Sequence, residues 1–285
     1  MSKVIKLDQK IEWNRYISSS NVYDFYHTWS YHQLDNDGEP FLFVFEQDKY
    51  FIALPLIKRQ IRGTAYFDCT SVYGYPGPIT NFPAELLTAD VIRAFKTSLV
   101  DYLESADIIS AFSRFHPIIN QNPVWDNLDS LRAHGRTITI DLTQSIEDQR
   151  AIYQRTVRSK IKQLNGKAFT VREAKTDNDL LLFIEIYKEN MKRVNAASYY
   201  FFDKEYFERL LSAPEFGCKL FLCCDGNIIT SGAIITFSNE IMQLHLSSTS
   251  NEYLKIGPMK LLVDEITVYG RTHGMKYLHM GGVVG

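Results

Sequence analysis

The feature that most constrains the fold is an internal repeat of strand and turn signals. Each half of the chain contains two apolar, strand-like runs that flank a short polar turn: 41–46 and 50–57 around 47–49, then 219–224 and 228–237 around 225–227. The second turn reads Asp225-Gly226-Asn227, and an Asp-Gly pair between two such runs is a strong hairpin signal. The sequence therefore predicts one β-hairpin in each half.

The same series of elements follows each hairpin. It comprises a strand-like run, a turn containing Gly-Pro, an amphipathic helix and a closing strand. In the first half these elements are 65–72, Gly77-Pro78, 92–102 and 108–112. In the second half they are 240–248, Gly257-Pro258, 259–269 and 276–280. The apolar positions of both helices are spaced three, four and three residues apart, as in Met259, Leu262, Ile266 and Tyr269, which places each set on one face. Five matching features in the same order predict duplicated topology.

The elements between the two series are helical. A helix is predicted over about 145–164, a second over 177–195, and a short third that begins after Asp203 as its N-cap. This order predicts the α/β (α+β) class, with two tandem mixed β-sheets that carry helices on both faces. A length of 285 residues suits two domains, here predicted as 1–140 and 141–285.

Composition narrows the classes of function. The net charge is −2, which does not fit a general DNA-binding or membrane-surface protein. No apolar run is long enough to span a bilayer and no signal peptide is visible, so a cytoplasmic protein without an integral membrane segment is expected. Cys69, Cys218, Cys223 and Cys224 lack CxxC spacing, which predicts reduced thiols and no metal site.

The predicted strand 240–248 carries the first candidate catalytic residues. Period-two alternation puts one polar set and one apolar set on opposite faces: Gln243, His245 and Ser247, against Met242, Leu244 and Leu246. A polar strand face is expected at the floor of a cleft, where His245 can serve as a general base or bind an anion. A solvent-facing strand, or a histidine hydrogen-bonded in the core, is the alternative.

Gly257-Pro258 predicts a helix start that can bind a phosphate. Free N–H groups and the positive end of the helix dipole favour an anion there, and Lys255 and Lys260 add positive charge. Gly257 and Lys260, with Ser248 at the end of the preceding strand, are therefore candidates for binding a phosphate-containing cofactor. A helix start that binds only water is the alternative.

Two further clusters are candidates for binding a substrate. Tyr75 lies in the Gly/Pro-rich turn 73–78, and Arg114 and His116 follow the closing strand of the first half. In the second half, Arg193 ends a helix just before Tyr199 and Tyr200, and arginine with tyrosines suits a carboxylate, a phosphate or a sugar. Ordinary turn chemistry and a helix-terminal arginine are the alternatives.

The segment 150–172 contains no acidic residue and several basic ones, including Arg155, Arg158 and Lys162. It is either a solvated helix face or a binding surface for the phosphates of a large anion. The sequence contains no P-loop, GxSxG, HExxH or GxGxxG motif, which argues against kinases, serine hydrolases, zinc proteases and dinucleotide oxidoreductases.

Several of these motifs together resemble the Fem-type and related GNAT-like acyltransferases. They are Tyr-Gly-Tyr-Pro-Gly-Pro at 73–78, Arg-Phe-His-Pro at 114–117, the helix from Tyr187 to Arg193, His-Leu-Ser-Ser at 245–248, Gly257-Pro258 and Gly281-Gly282. The resemblance covers about residue 20 to the end. It implies tandem GNAT-like domains with an active cleft at or near their junction.

The resemblance also implies a reaction in which an amine attacks an activated carbonyl and backbone N–H groups stabilise the oxyanion. On this basis we expect an N-acyltransferase with no bound cofactor, using acyl-CoA or another acyl carrier such as an acyl carrier protein. The acceptor is expected to be a sugar or peptide amine of a cell-envelope or polysaccharide precursor, or a small metabolite. His245 and Ser247 would face the reacting carbonyl.

Two other functions remain open at this point. One is an aminoacyl-tRNA-dependent Fem-type transferase, in which the basic segment binds tRNA. The other is a non-catalytic binding module with a GNAT fold. The segment 252–258 supplies only Gly257 of the glycines typical of the GNAT pyrophosphate loop, and the long helical arm of the peptidoglycan-bridge enzymes has no counterpart. Because the chain stops soon after Gly282, a truncated C-terminus is also expected.

Overall fold

The computed structural model describes residues 1–35, 37–125, 131–133 and 135–282. The chain divides into two compact units, Met1–His134 and Gly135–Gly285. The predicted boundary lies at 140/141, and the strand Thr137–Asp141, most of which precedes it, pairs within the second sheet. The expectation of a truncated end falls partly on 283–285, which lie outside the described residues.

The first unit contains one mixed sheet with helices on both faces. Its elements are β1 (Ser2–Lys6), α1 (Lys10–Ser19), α2 (Trp29–His32), β2 (Glu39–Gln47), β3 (Tyr50–Gln60), β4 (Phe67–Thr70), β5 (Ile79–Thr80), α3 (Ala89–Ser105), β6 (Ile108–Ala111) and α4 (Asn122–Trp125). The strand order is β1-β2-β3-β4-β6, and β5 pairs with β3. One face packs on α3 through Phe95 and Leu99, and the other packs on α1 through Trp13 and Ile17.

The second unit repeats this arrangement with an added edge strand. Its elements are β7 (Thr137–Asp141), α5 (Ile146–Ile152), α6 (Arg155–Asn165), β8 (Phe169–Glu173), α7 (Asp177–Arg193), α8 (Lys204–Leu211), β9 (Gly217–Asp225), β10 (Ile228–Ser238), β11 (Ile241–Thr249), α9 (Met259–Thr272) and β12 (Tyr277–Gly282). The strand order is β7-β12-β11-β10-β9-β8.

The predicted duplication is confirmed by strand pairing. In each unit a hairpin leads into a third antiparallel strand, then a helix, then a strand that runs parallel to the third: β4 with β6 and β11 with β12. In the second hairpin Asp225 pairs with Ile228, and Gly226 adopts the positive φ of 58° that the tight turn requires.

Helices cover both faces of the second sheet. The apolar residues of α6 and α9, including Ile161, Leu262 and Ile266, pack with Ala233 and Ile235 of β10 on one face. On the other face, Phe183 of α7 lies so close to Gly232 that an added Cβ would come within 2.5 Å of its ring. Neighbouring residues of β10 therefore alternate between the α9 face and the α7 face.

The predicted helix 145–164 is in fact two helices. Tyr153 adopts an extended conformation (φ −62°, ψ 140°) and separates α5 from α6. Side chains of α5 bind α9, since Arg150 pairs with the buried Asp264 at 2.6 Å and Gln149 donates to Thr267 at 3.0 Å. These two contacts hold α5 against α9. The chain then bends at Tyr153, and α6 packs on the same face of the sheet as α9.

Candidate functional site

The second sheet opens between β11 and β12. The parallel ladder pairs Ile241 with Tyr277 and ends at Gln243 with His279. Beyond that pair β11 continues to Thr249, whereas β12 stays with β7, where Gly282 pairs with Thr137. Among the described residues, the backbone of β11 after Gln243 therefore has no ladder partner on its β12 side, and its N–H and C=O groups there can bind a ligand.

A β-bulge interrupts β11 at the start of this open edge. Ile235 pairs with Leu244 and Ile234 pairs with Leu246, so His245 is the extra residue. A bulge bends its strand and re-aims a side chain, and bulges are over-represented next to active sites. At the bulge, both the backbone groups and the His245 ring can therefore contact a ligand bound at the open edge.

The bulge makes one sequence prediction wrong. Ser247 does not share a face with Gln243, because it pairs with Ala233 on the α9 face. Ser248 pairs with Gly232 on the α7 face. The prediction from sequence assumed that side chains alternate between the two faces along the whole strand. One extra residue moves every residue that follows it to the opposite face.

His245 binds a tyrosine that the sequence analysis did not assign to the site. Its Nε2 lies 3.2 Å from the hydroxyl of Tyr206 on α8. Tyr206 is partly exposed, whereas His245 is 8% exposed. The side chain of Asp203 accepts the Tyr206 backbone N–H at 2.9 Å and so caps α8, as predicted.

Gln243 and His279 form a second polar pair at the point where the strands separate. His279 Nδ1 hydrogen-bonds to Gln243 Oε1, and Gln243 Nε2 donates to the carbonyl of Leu244 at 3.2 Å. Both side chains are buried. Because the amide oxygen can only accept, Nδ1 carries the imidazole proton. No sequence signal singles out His279, which lies within an ordinary apolar strand run.

Of the predicted donor-binding residues, Ser248 lies near the end of β11, and Gly257 and Lys260 lie at the start of α9. Gly257 has a φ of +70°, and the Lys260 ammonium lies 3.3 Å from where a Cβ would stand on it. The helix α9 then begins at Met259, directly after Pro258. The Ser248 hydroxyl is buried and has no hydrogen-bond partner among the residues that the structure describes, which leaves it available to a ligand.

The second-unit acceptor candidates lie around the loop between α7 and α8. Arg193 donates to Asn190 Oδ1 on its own helix. Tyr199 is 46% exposed and packs edge-on against Tyr200 at 5.3 Å. The Tyr200 carbonyl accepts from the Tyr187 hydroxyl at 2.8 Å. The loop therefore places two tyrosine rings shortly after the end of α7 at Arg193.

The remaining candidates lie in the first unit. His116 is buried, and its ring nitrogens bond to the Asp24 carboxylate and to the backbone N–H groups of 118 and 119. This environment gives it a role in holding its loop, and its contact with a ligand stays a prediction. Tyr75 packs edge-on against Tyr26 at 5.9 Å. The Arg114 guanidinium lies 5.6 Å from the Phe112 ring.

The described ranges contain no group of three or more His, Cys, Asp and Glu side chains that could hold a metal ion. All four cysteines are free thiols, and burial raises the pKa of Cys69 to about 12 and that of Cys223 to about 11. No helix in the described part of the chain is both long and apolar enough to cross a bilayer.

Comparison with known proteins agrees with this fold. Residues 151–284 match the acetyltransferase (GNAT) domain family. FemX matches with a TM-score of 0.71 at 13% identity, over 99% of this chain and 89% of FemX. L-PGS from Bacillus licheniformis matches with a TM-score of 0.63 at 12% identity, over 98% of this chain and 80% of that one. A search of curated protein sequences finds no match.

Residues 151–284, most of the second unit, thus match the acetyltransferase (GNAT) domain family, and this match supports an acyltransferase. The two-unit fold is similar to that of FemX, so the predicted resemblance to Fem-type and related GNAT-like acyltransferases is confirmed at the level of fold. The open edge of β11, the bulge and the start of α9 all lie within the matched residues.

Proposed function

We propose that this protein is an N-acyltransferase that moves an acyl group from a thioester carrier, acyl-CoA or an acyl carrier protein, to an amine. The observation that carries the proposal is the opening of the sheet after Gln243 and His279, beside the bulge at His245. A linear donor arm fits an unpaired strand edge, where it can replace the missing ladder hydrogen bonds.

The donor's orientation follows from charge. The start of α9 offers N–H groups, the positive end of a helix dipole and the Lys260 ammonium next to Gly257, all of which favour a phosphate. With the phosphate there and the arm along β11, the thioester reaches the bulge. Backbone N–H groups at the bulge can then bind the oxyanion, and Ser248 lies along the arm.

The acceptor amine approaches from the side of α7 and α8. Arg193, Tyr199 and Tyr200 supply a cation and exposed rings there, which suit a sugar or peptide amine of an envelope or polysaccharide precursor, or a small amine metabolite. We assign Ser247 no role with the acceptor, because it faces α9 and not the side of α7 and α8.

Calorimetric titration with acetyl-CoA and a longer acyl-CoA tests the donor. Lys260→Ala should raise the dissociation constant about tenfold, since one charge-assisted phosphate contact is lost. Lys188→Ala removes an equally exposed lysine from α7 and should leave affinity unchanged. Absence of binding by every CoA thioester would eliminate CoA as the carrier, and acylated carrier protein is then titrated in the same way.

A second candidate function has its own observation. Arg155, Arg158 and Lys162 are exposed on α6, in a segment without acidic residues, and such a surface suits a tRNA-borne aminoacyl donor. Neutralising all three should then weaken tRNA binding and flatten its dependence on salt. Unchanged tRNA affinity in the triple variant eliminates this donor. If neither thioesters nor tRNA bind, the fold acts as a non-catalytic binding module.

A further inference from the structure

The group that touches the acceptor amine can be inferred from the geometry around the bulge. Two side chains at the site can move a proton together: the imidazole of His245 and the phenol of Tyr206, whose Nε2 and hydroxyl lie 3.2 Å apart. They come from different elements and from positions 39 residues apart. A base and its hydrogen-bonded partner at this distance are within reach of proton transfer.

Burial decides which of the two meets the substrate. His245 is 8% exposed, because the bulge and the covering helices enclose it. Tyr206 is partly exposed. An incoming amine on the α7 and α8 side therefore reaches the phenol first, with the imidazole behind it.

The phenol is also held rigidly, as a catalytic group must be. The Tyr206 ring stacks on Phe202 with ring centroids 3.9 Å apart and planes 8° apart. Phe207 packs against it at 5.6 Å and at right angles. The Asp203 cap fixes the Tyr206 backbone, so the hydroxyl is the only part of the side chain left to orient.

We propose that Tyr206 is a catalytic residue that relays the proton of the attacking amine to His245. The inference rests on the proposed acyl transfer. The amine nitrogen attacks the thioester carbonyl, a C–N bond forms and the C–S bond breaks. The proton of the resulting ammonium passes to the Tyr206 oxygen as the Tyr206 proton passes to His245 Nε2. The imidazolium returns it through solvent to the departing thiolate, so the products are an amide and a thiol.

Variants that keep the ring stack test the relay. Tyr206→Phe retains stacking on Phe202 and removes only the hydroxyl, and His245→Gln removes the proton acceptor. Thiol release from acetyl-CoA is measured with the best acceptor from a panel of amino sugars and amino acids. Each variant should lower kcat about 100-fold with the KM for acetyl-CoA nearly unchanged. The double variant should be no slower than either single one, because the two groups act as a unit.

A control and a substrate-free measurement complete the test. Tyr66→Phe removes the hydroxyl of an exposed tyrosine in the first unit and should turn over normally. The ¹⁵N shift of His245 Nε2, assigned by its loss in His245→Gln, should change in Tyr206→Phe. Full activity in Tyr206→Phe, or a loss in His245→Gln alone, overturns the relay while acyl transfer stands. If the wild-type protein transfers no acyl group, the proposed function fails. If the ¹⁵N shift of His245 is unchanged in Tyr206→Phe, the hydrogen-bonded pair of Tyr206 and His245 is overturned as well.

Discussion

His116 Nε2 lies 2.9 Å from the Asp24 carboxylate, and both side chains are almost completely withdrawn from water. His116 Nδ1 accepts the backbone N–H groups of Ile118 and Ile119 at 3.1 Å. Nδ1 is therefore unprotonated, and Nε2 carries the proton and donates to Asp24. One imidazole thus joins the loop after β6 to a residue 92 positions earlier in the chain.

Removal of this imidazole should destabilise the first unit. In His116→Ala the buried Asp24 carboxylate keeps the Phe25 backbone N–H on Oδ1 but loses the hydrogen bond to Oδ2, and a cost of about 3 kcal/mol is expected for such a loss. Urea unfolding measures the change. His273→Ala, at an exposed position on the C-terminal side of α9, should change the unfolding free energy by less than about 0.5 kcal/mol. Equal effects of the two variants would contradict the structural role of His116.

Two other buried histidines predict a dependence of stability on pH. Burial lowers the pKa of His27 to about 4 and that of His32 to about 3, against an ordinary value of 6.5. Between these values and pH 6.5 the unfolded chain binds more protons than the folded one. Stability is therefore fully present above about pH 6.5 and falls as the pH drops towards 4.

Urea unfolding at steps from pH 7.5 to pH 5 measures this slope, in a range where most carboxylates stay ionised. A loss of about 2 kcal/mol per histidine is expected across about 1.5 pH units. A variant with His32→Phe should lose part of the slope. A free energy of unfolding that is flat over this range would show that these imidazoles are not held neutral.

An ion pair between Asp179 and Arg172 holds the start of α7. Asp179 accepts from Arg172 at 2.6 Å and from the backbone N–H of Lys175 at 2.8 Å, and the Arg172 guanidinium holds the Asp179 pKa well below its usual range. Asp179→Ala should cost about 2 kcal/mol because it removes the pair and half of the capping box. Asp177→Ala, an exposed acid in the same turn, should cost less than about 0.5 kcal/mol.

The bulge predicts different effects for two adjacent serines. Ser248→Ala should weaken acyl-CoA binding about threefold to tenfold, because a buried hydroxyl on the α7 face is lost. Ser247→Ala should have a smaller effect on the donor, because Ser247 faces α9. Calorimetric titration compares them. The reverse order would mean that the register of β11 beyond His245 is not the one observed.

The sequence predicted the parts of the fold that depend on local spacing. The Asp225-Gly226 hairpin, the Asp203 cap and the apolar faces of α3 and α9 all follow from residues within a few positions of one another. Repetition of these signals was enough to predict the duplicated sheet.

The site was less predictable because its determinants are distant or irregular. The bulge at His245 depends on how β10 and β11 register, which alternation alone cannot reveal. Tyr206 meets His245, and Gln243 meets His279, only after helices and strands far apart in sequence have packed. For the same reason the bond between His116 and Asp24 was not predicted, since nothing near His116 in the sequence points to Asp24.

Hydrogen exchange with and without acetyl-CoA tests the central claim most directly, that the opened edge of the second sheet binds the acyl donor. Added acetyl-CoA should slow amide exchange in β11 from Leu244 to Thr249 and at the start of α9 around Met259, with little change in the first-unit hairpin of β2 and β3. Protection confined to other segments, or none at saturating acetyl-CoA, would contradict the placement of the site.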